Sequence, residues 1–237
     1  MTAKPLVILQ HEPDAPPAGI GTALEALGLP YEVRHLYKGD ALPQWPHETG
    51  GLIVLGGAMH VHQTREHAFL AAEVKLLRHV IHDGGPVWGV CLGAQLVAQA
   101  AGGDVYKLKG PEVGWITVEK VADDSLLHGI SSPFTAFSWH EYACTVPTTS
   151  HLVASSEQGV QVFRAGGKAW ATQFHPEVDA SIASHWVDDA ASNYSRLGEA
   201  WARQLREDTE KNLPGCASLC RTLTENFVLS TGLLRIG

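Results

Sequence analysis

Short apolar segments alternate with amphipathic helical patterns along the first hundred residues, and this alternation constrains the fold most. The main strand-like segments are four or five residues long and almost entirely apolar: Leu6–Gln10, Leu52–Leu55 and Val87–Val90. A weaker strand pattern covers 31–36, and helical patterns cover 18–27, 66–82 and 92–101. Strands without polar alternation, separated by helices, are typical of a parallel sheet that is covered on both faces. We therefore predict an α/β fold with a mostly parallel central sheet and helices on both faces.

The pattern changes twice in the rest of the chain. Between Val105 and Phe174, short alternating segments separated by turns predict additional antiparallel strands. After Glu177, helical patterns over 181–191, 194–211 and 217–229 predict a helical C-terminal extension at about 180–237. Packing of these helices on the sheet is favoured over binding of a partner, because most amphipathic helices face their own core. We predict a single domain over residues 1–237.

The pentapeptide Gly89-Val90-Cys91-Leu92-Gly93 directly follows an apolar strand and precedes a helix. A glycine on each side of the cysteine permits a tight turn, as in the nucleophile elbow of hydrolases. At a helix N-terminus, the positive end of the dipole favours the nucleophilic thiolate. Taken alone, the pattern also fits a buried structural cysteine in a glycine-rich turn.

A second motif, Phe174-His175-Pro176-Glu177, follows a predicted hairpin formed by 159–164 and 168–174. In extended backbone, residues two apart point to the same side, so His175 and Glu177 project together. A carboxylate that orients an imidazole beside a thiol gives a Cys-His-Glu arrangement for nucleophilic catalysis. Alone, the motif is more typical of a solvated strand end. The two motifs together favour catalysis.

The third motif is Gly56-Gly57, where the strand 52–55 ends. Without a Cβ, glycine allows backbone N–H groups to approach a cavity closely. One N–H from this turn and one from Leu92 would form an oxyanion hole.

Gly56-Gly57-Ala58-Met59, the segment 86–95 around Cys91, and Phe174-His175-Pro176-Glu177 occur in that order. Together they resemble the class I (triad) glutamine amidotransferases. Between them, Glu112-Val113-Gly114-Trp115 resembles the stand-alone branch of this family, which is similar to the glutaminase domain of GMP synthase. The resemblance implies a flavodoxin-like fold and a γ-glutamyl thioester intermediate. It also implies roles for individual residues: Cys91 as nucleophile, His175 as base, Glu177 as orienting carboxylate, Gly57 and Leu92 as oxyanion donors, and Gln95 as a contact to the glutamyl group.

The chain departs from the family pattern at two positions. The common Gly-Gly-Pro is Gly-Gly-Ala here, which removes a rigid residue but keeps the amides. The substrate-binding segment, usually a His followed by Gly, has Trp139, His140 and Glu141. We predict that these three residues contact the substrate, and that Glu141 changes how its α-amino and α-carboxylate groups are held. His140 is open to two roles, a second base or a structural polar group in the pocket wall.

Composition excludes several classes of function. The formal net charge is −8, and there is no run rich in Lys and Arg, so nucleic-acid binding is not expected. The first apolar segment is too short for a signal peptide, and none is as long as a membrane span. These features predict a cytoplasmic protein that acts away from the membrane. Neither the pair Cys216 and Cys220 nor the three histidines at 60, 62 and 67 completes a familiar metal-ligand spacing, so no metal or other cofactor is expected.

Three functions are compatible with these residues. The first is a glutaminase that supplies ammonia to a separate synthetase, and the second is an independent hydrolase of γ-glutamyl peptides or amides. The third is a non-catalytic regulatory protein that retains the fold, although the complete Cys-His-Glu set argues against it. The sequence leaves the leaving amine, the pathway and the oligomeric state open.

Overall fold

A computed structural model describes residues 4–193 and 198–233. Its strands are β1 (Leu6–Gln10), β2 (Tyr31–His35), β3 (Gly51–Val54), β4 (Val87–Val90), β5 (Val105–Lys120), β6 (Phe134–Cys144), β7 (Ser150–Ser156), β8 (Gly159–Ala165) and β9 (Ala169–Thr172). Its α-helices are α1 (Ala18–Ala26), α2 (Ala68–His82), α3 (Leu92–Ala100), α4 (Ala180–Asn193) and α5 (Gly198–Thr231). Short 3-10 helices at Leu36–Lys38 and Ser125–Leu127 complete the described elements.

The strands form one sheet in the order β2-β1-β3-β4-β9-β8-β7-β5-β6. The first five strands in this order, from β2 to β9, pair in parallel, and the remaining pairs are antiparallel. The predicted α/β architecture with added antiparallel strands is confirmed. The expectation that all strands after Val105 are short is wrong, because β5 has 16 residues. This strand continues because it pairs with β6 over most of its length and then with β7 at its end, past an irregularity between Lys107 and Glu112.

Both faces of the parallel half are covered by helices, which explains the apolar character of its strands. In β1, Leu6 and Ile8 pack in one core together with α1 and the second half of α5. Val7 and Leu9 point to the opposite face and pack in a second core with α2 and α3. The alternation of side chains along a strand thus places successive apolar residues in two different cores.

The second half of α5 belongs to the core on the first face, whereas α4 and the first half of α5 pack in a separate core with Phe137. Phe227 of α5 is fully buried, with its ring centroid 5.7 Å from that of Trp88 and 6.0 Å from that of Trp170. The predicted break between helices near residue 212 is wrong, because α5 continues through Pro214. Proline removes one helical hydrogen bond, but burial of residues on both sides of it keeps the helix continuous. Residues 194–197, where one predicted helix starts, lie outside the described residues. None of the described helices is long and apolar enough to cross a membrane.

The carboxyl ends of β1, β3, β4 and β9 meet at one edge of the sheet. The chain goes from β1 to β2 on one side of β1, and β3 lies on its other side. Such a reversal of strand order opens a crevice at the carboxyl edge, where α/β proteins bind ligands. The segments that carry His11, Gly57, Cys91 and His175 follow these four strands.

Candidate active site

Cys91 lies in a sharp turn between β4 and α3. Its φ and ψ are +52° and −104°, a backbone conformation that residues with a side chain rarely adopt and that clusters at functional sites. The Cys91 amide donates to the Thr172 carbonyl oxygen of β9 at 2.8 Å. A Cβ on Gly93 would lie 2.0 Å from the Val54 carbonyl oxygen, so only glycine allows α3 to pack this closely against β3. Tight packing and this hydrogen bond to β9 therefore fix the turn.

His175 follows β9 and is held by both its backbone and its ring. Its amide donates to the Phe137 carbonyl oxygen at 2.8 Å, and its ring Nδ1 lies 2.7 Å from Glu177 Oε1. Both side chains are almost completely buried. Because Nδ1 is hydrogen-bonded to Glu177, Nε2 is the ring nitrogen that remains to exchange a proton with the Cys91 sulfur.

Electrostatics favour the protonated form of His175. Burial lowers the pKa of this imidazole, but the charges of Cys91 and Glu177 and the hydrogen bonds to them raise it well above its usual value. The structure therefore brings together the sulfur, the imidazole and the carboxylate that the sequence predicts to act together.

The Gly56-Gly57 turn packs directly against these side chains. A Cβ on Gly56 would lie 3.0 Å from His175 Cε1 and 3.6 Å from Cys91 Cβ. Among the described residues, no acceptor is paired with the Gly57 amide. Leu92 is the first residue of α3, where a helix leaves its amides without an intrahelical acceptor. Both predicted oxyanion donors line the cavity beside Cys91.

The cavity has a volume of about 370 Å³ and opens at the carboxyl edge of the sheet. Every predicted site residue lines this cavity except Glu177, which is bonded to His175 on the side away from it. The lining residues are Glu12, Asp14, Gly57, Ala58, Met59, His60, Cys91, Leu92, Gln95, Trp139, His140, Glu141, Tyr142, His175 and Trp186. No group of three His, Cys, Asp or Glu side chains that could hold a metal ion occurs within 4–193 and 198–233.

Gln95 lines the cavity and is held by hydrogen bonds of its side-chain amide. Its side-chain Nε2 donates to the Tyr142 carbonyl oxygen at 2.8 Å and to Gln173 Oε1 at 3.4 Å. With both amide hydrogens used, the side-chain oxygen remains as an acceptor.

Both ring nitrogens of His140 are bonded to protein atoms. Nε2 lies 2.9 Å from Glu112 Oε2, and Nδ1 lies 2.9 Å from the Tyr142 carbonyl oxygen. Burial raises the pKa of Glu112, but the hydrogen bond and charge of His140, followed by bonds from Ser156 and Ser138, lower it below its usual value. These contacts support a structural polar role for His140 rather than that of a second base.

Trp139 and Glu141 lie on the wall of the cavity on either side of His140 in sequence. The Trp139 ring stacks on that of Phe137, with centroids 5.8 Å apart, and its carbonyl oxygen lies 3.9 Å from Cys91 Sγ. Glu141 forms an ion pair with Lys107 at 3.4 Å between Oε2 and Nζ. This wall therefore presents a backbone carbonyl oxygen to the sulfur and carries a charged side chain farther along the chain.

Sequence reasoning missed a buried His-Glu pair behind the Gly56-Gly57 turn. His11 follows β1, and its Nε2 lies 3.1 Å from Oε2 of Glu73 in α2, with both side chains fully buried. One signal was available, because Glu73 falls on the apolar stripe of α2 with Leu70 and Leu77. A carboxylate at such a position requires a buried partner.

Comparison with known proteins gives consistent matches. A sequence model of the family described as "Glutamine amidotransferase class-I" matches residues 19–190. A subunit of the glutamine-hydrolyzing GMP synthase of Sulfolobus acidocaldarius is 33% identical over 96 residues, which are 39% of this chain and 51% of that protein. Anthranilate synthase component 2 of Archaeoglobus fulgidus is 35% identical over 102 residues, 43% of this chain and 57% of that protein. The matched parts thus span about half the length of these relatives.

The similarity to a solved structure covers nearly the whole chain. The crystal structure of a glutamine amidotransferase from Thermotoga maritima superposes with a TM-score of 0.86 at 26% identity. The superposition covers 96% of this chain and 99% of the other. It therefore includes the C-terminal helices, beyond the segment that the family model matches.

Proposed function

Because the chain belongs to the class I glutamine amidotransferase family, we propose that it hydrolyses the side-chain amide of glutamine through a γ-glutamyl thioester on Cys91. One observation carries the proposal: Cys91, His175 and Glu177 converge beside a cavity at the carboxyl edge of the sheet. A thiolate paired with an imidazolium, whose other nitrogen is held by a carboxylate, is suited to attack on an amide carbon.

The first half of the reaction forms the thioester. The Cys91 sulfur bonds to the carbonyl carbon of the γ-carboxamide, and the amide oxygen takes up the electron pair of the C=O bond as an oxyanion. The amides of Gly57 and Leu92 donate hydrogen bonds to that oxyanion, each lowering the barrier by about 3 kcal/mol. Nε2 of His175 gives its proton to the nitrogen, and ammonia leaves as the carbon–nitrogen bond breaks.

The second half releases glutamate. The neutral His175 takes a proton from water, and the resulting hydroxide attacks the thioester carbon. The carbon–sulfur bond breaks, and the imidazolium again pairs with the thiolate. Throughout, Glu177 keeps the ring in one tautomer and stabilises its positive charge.

Steady-state turnover of glutamine by the purified chain tests this proposal. Release of glutamate and ammonia in equal amounts is expected, and Cys91→Ala should abolish it. Cys144→Ala is the matched control, because Cys144 is buried outside the cavity and should leave turnover unchanged. A Cys91→Ala protein that folds and still hydrolyses glutamine at the wild-type rate would exclude the proposed nucleophile.

We also propose that the ammonia passes to a separate synthetase. In support, the Sulfolobus relative is named as one subunit of a GMP synthase. The Archaeoglobus relative is a component of a different synthase, so the acceptor is left open. We expect amination of the acceptor with glutamine as the nitrogen source when this chain and the synthetase are mixed, and no such amination by either protein alone. Equal rates with and without this chain would contradict it.

A second candidate function is favoured by the charge of the cavity. The carboxylates of Glu12 and Asp14 line it together with Glu141, which is paired with Lys107, and no Lys or Arg lines it among the described residues. Such a lining suits a γ-glutamyl amide whose leaving amine carries a positive charge. A higher kcat/KM for a γ-glutamyl amide with an amino-terminated alkyl chain than for its uncharged isostere and for glutamine would favour this hydrolase. The opposite order would favour the glutaminase.

A further inference from the structure

The His11-Glu73 pair holds the carbonyl group of the Gly56-Gly57 peptide. His11 Nδ1 lies 3.1 Å from the Gly56 carbonyl oxygen, and Nε2 lies 3.2 and 3.1 Å from the two carboxylate oxygens of Glu73. The three groups come from the end of β1, the end of β3 and the middle of α2. His11 and Glu73 are both fully buried, outside the cavity.

The contact with the Gly56 carbonyl requires a hydrogen on Nδ1 of His11. A carbonyl oxygen only accepts, so Nδ1 donates to Gly56, and Nε2 hydrogen-bonds with the Glu73 carboxyl group. Burial lowers the pKa of His11, but the charge and hydrogen bond of Glu73 and the Gly56 carbonyl raise it above its usual value. The buried ring is therefore held between two groups, with Nδ1–H directed at the Gly56 carbonyl oxygen and Nε2 directed at the Glu73 carboxyl group.

The hydrogen bond to Gly56 also determines where the Gly57 amide points. In a trans peptide, the C=O of one residue and the N–H of the next point in opposite directions. With the Gly56 oxygen directed at His11, the Gly57 N–H points away from His11, and Gly57 lines the cavity beside Cys91. A Gly-Gly peptide has no Cβ to restrict its rotation, so its orientation needs an external partner.

We propose that His11, held in place by Glu73, is a positioning residue that aims the Gly57 amide at the developing oxyanion. This inference rests on the proposed function, because it assigns a role within the same reaction. If the peptide rotated, a carbonyl oxygen would replace the donor and repel the negative charge of the intermediate. The pair thus acts on the transition state without touching the substrate.

The test compares three variants. His11→Leu alone would leave the Glu73 charge buried without a partner and destabilise the protein, so the first variant is the double substitution His11→Leu/Glu73→Leu. The second is Glu73→Gln, whose amide can donate to Nε2 of a neutral His11 while Nδ1–H still bonds to Gly56. The third, Asn226→Ala, is a stability control that removes hydrogen bonds to the Leu126 and His128 carbonyl oxygens, and none of these three residues lines the cavity.

The readouts separate positioning from a general structural effect. In the double variant we expect kcat to fall about 10²-fold with KM changed less than about threefold, as for loss of one oxyanion donor. Alkylation of Cys91 by iodoacetamide forms no oxyanion, so its rate should stay within about twofold of wild type. Glu73→Gln should retain kcat within about fivefold, and Asn226→Ala should retain both rates while melting earlier.

Two outcomes would overturn the inference. In one, the double variant keeps the wild-type kcat. In the other, it loses turnover and alkylation in parallel, as a distorted site would. If the wild-type protein hydrolyses neither glutamine nor a γ-glutamyl amide, the proposed function fails, and the crystal structure of the double variant decides the inference separately. A rotated Gly56-Gly57 peptide would support it, and an unchanged peptide would contradict it.

Discussion

Gly93→Ala is a direct test of the close packing between β3 and α3 that forms the nucleophile turn. The added Cβ would lie 2.0 Å from the Val54 carbonyl oxygen and 2.7 Å from its carbonyl carbon. Carbon–oxygen contacts normally require about 3.3 Å, so helix and strand must separate by about 1.3 Å. Val54 lies in β3 between β1 and β4, so the sheet resists that movement.

The expected cost follows from this overlap. Overpacking of a core costs typically about 1–3 kcal/mol, and a clash with fixed backbone belongs at the upper end. A loss of about 3 kcal/mol lowers the melting temperature of a chain of this size by about 6–12 °C. Because α3 carries Leu92 and follows Cys91, a shift near 1 Å should also reduce kcat about 10²-fold.

Thermal unfolding and glutamine turnover of the same preparations provide the assay. Gly215→Ala is the matched control, since Gly215 lies within α5 and a Cβ there meets nothing within 4 Å. This substitution should stabilise the protein by about 0.5–1 kcal/mol and leave turnover unchanged. A Gly93→Ala protein that melts within about 2 °C of wild type and retains full turnover would refute the packing argument.

Three further predictions concern the ionisable groups. Iodoacetamide should modify one thiol in the folded protein, Cys91. Burial raises the pKa of Cys144 and Cys216 to about 12 and also raises that of Cys220, so these thiols should not react. A second modification found by intact-mass spectrometry would contradict this prediction. Glu177→Gln should lower kcat by about 10²–10⁴-fold and should also lower the pKa of His175. An NMR titration of the His175 ring measures that pKa, and an unchanged value would contradict the described ion pair. The free energy of unfolding should fall as pH rises from about 6.5 toward the raised pKa of His175, because the protonated ring is stabilised only in the folded state. Denaturant unfolding at a series of pH values should show a smaller fall in Glu177→Gln, and an equal fall would assign the effect to other groups, such as His11.

Much of the site was predictable because its sequence signals are local. The turn at Cys91 is encoded by an apolar strand, two glycines and a helix within ten residues. The hairpin before His175 shows period-2 alternation around a glycine turn, and the structure has β8 and β9 there. Helices α1 to α3 lie within two residues of their predicted bounds, because each has a clear apolar periodicity.

The remaining features depend on contacts between distant residues. His11 and Glu73 are 62 positions apart and meet only because α2 packs over the end of β1. The length of β5 is set by its pairing with two other strands, and α5 continues through Pro214 because tertiary packing outweighs the local cost of proline. No local pattern specifies these pairings.

Acid-quenched protein taken during turnover of glutamine, digested and examined by mass spectrometry, tests the thioester mechanism most directly. We predict a γ-glutamyl group on the peptide that contains Cys91, bound through sulfur and absent from Cys91→Ala. An acyl group on any other residue, or steady turnover with no acylated protein at any quench time, would contradict the mechanism.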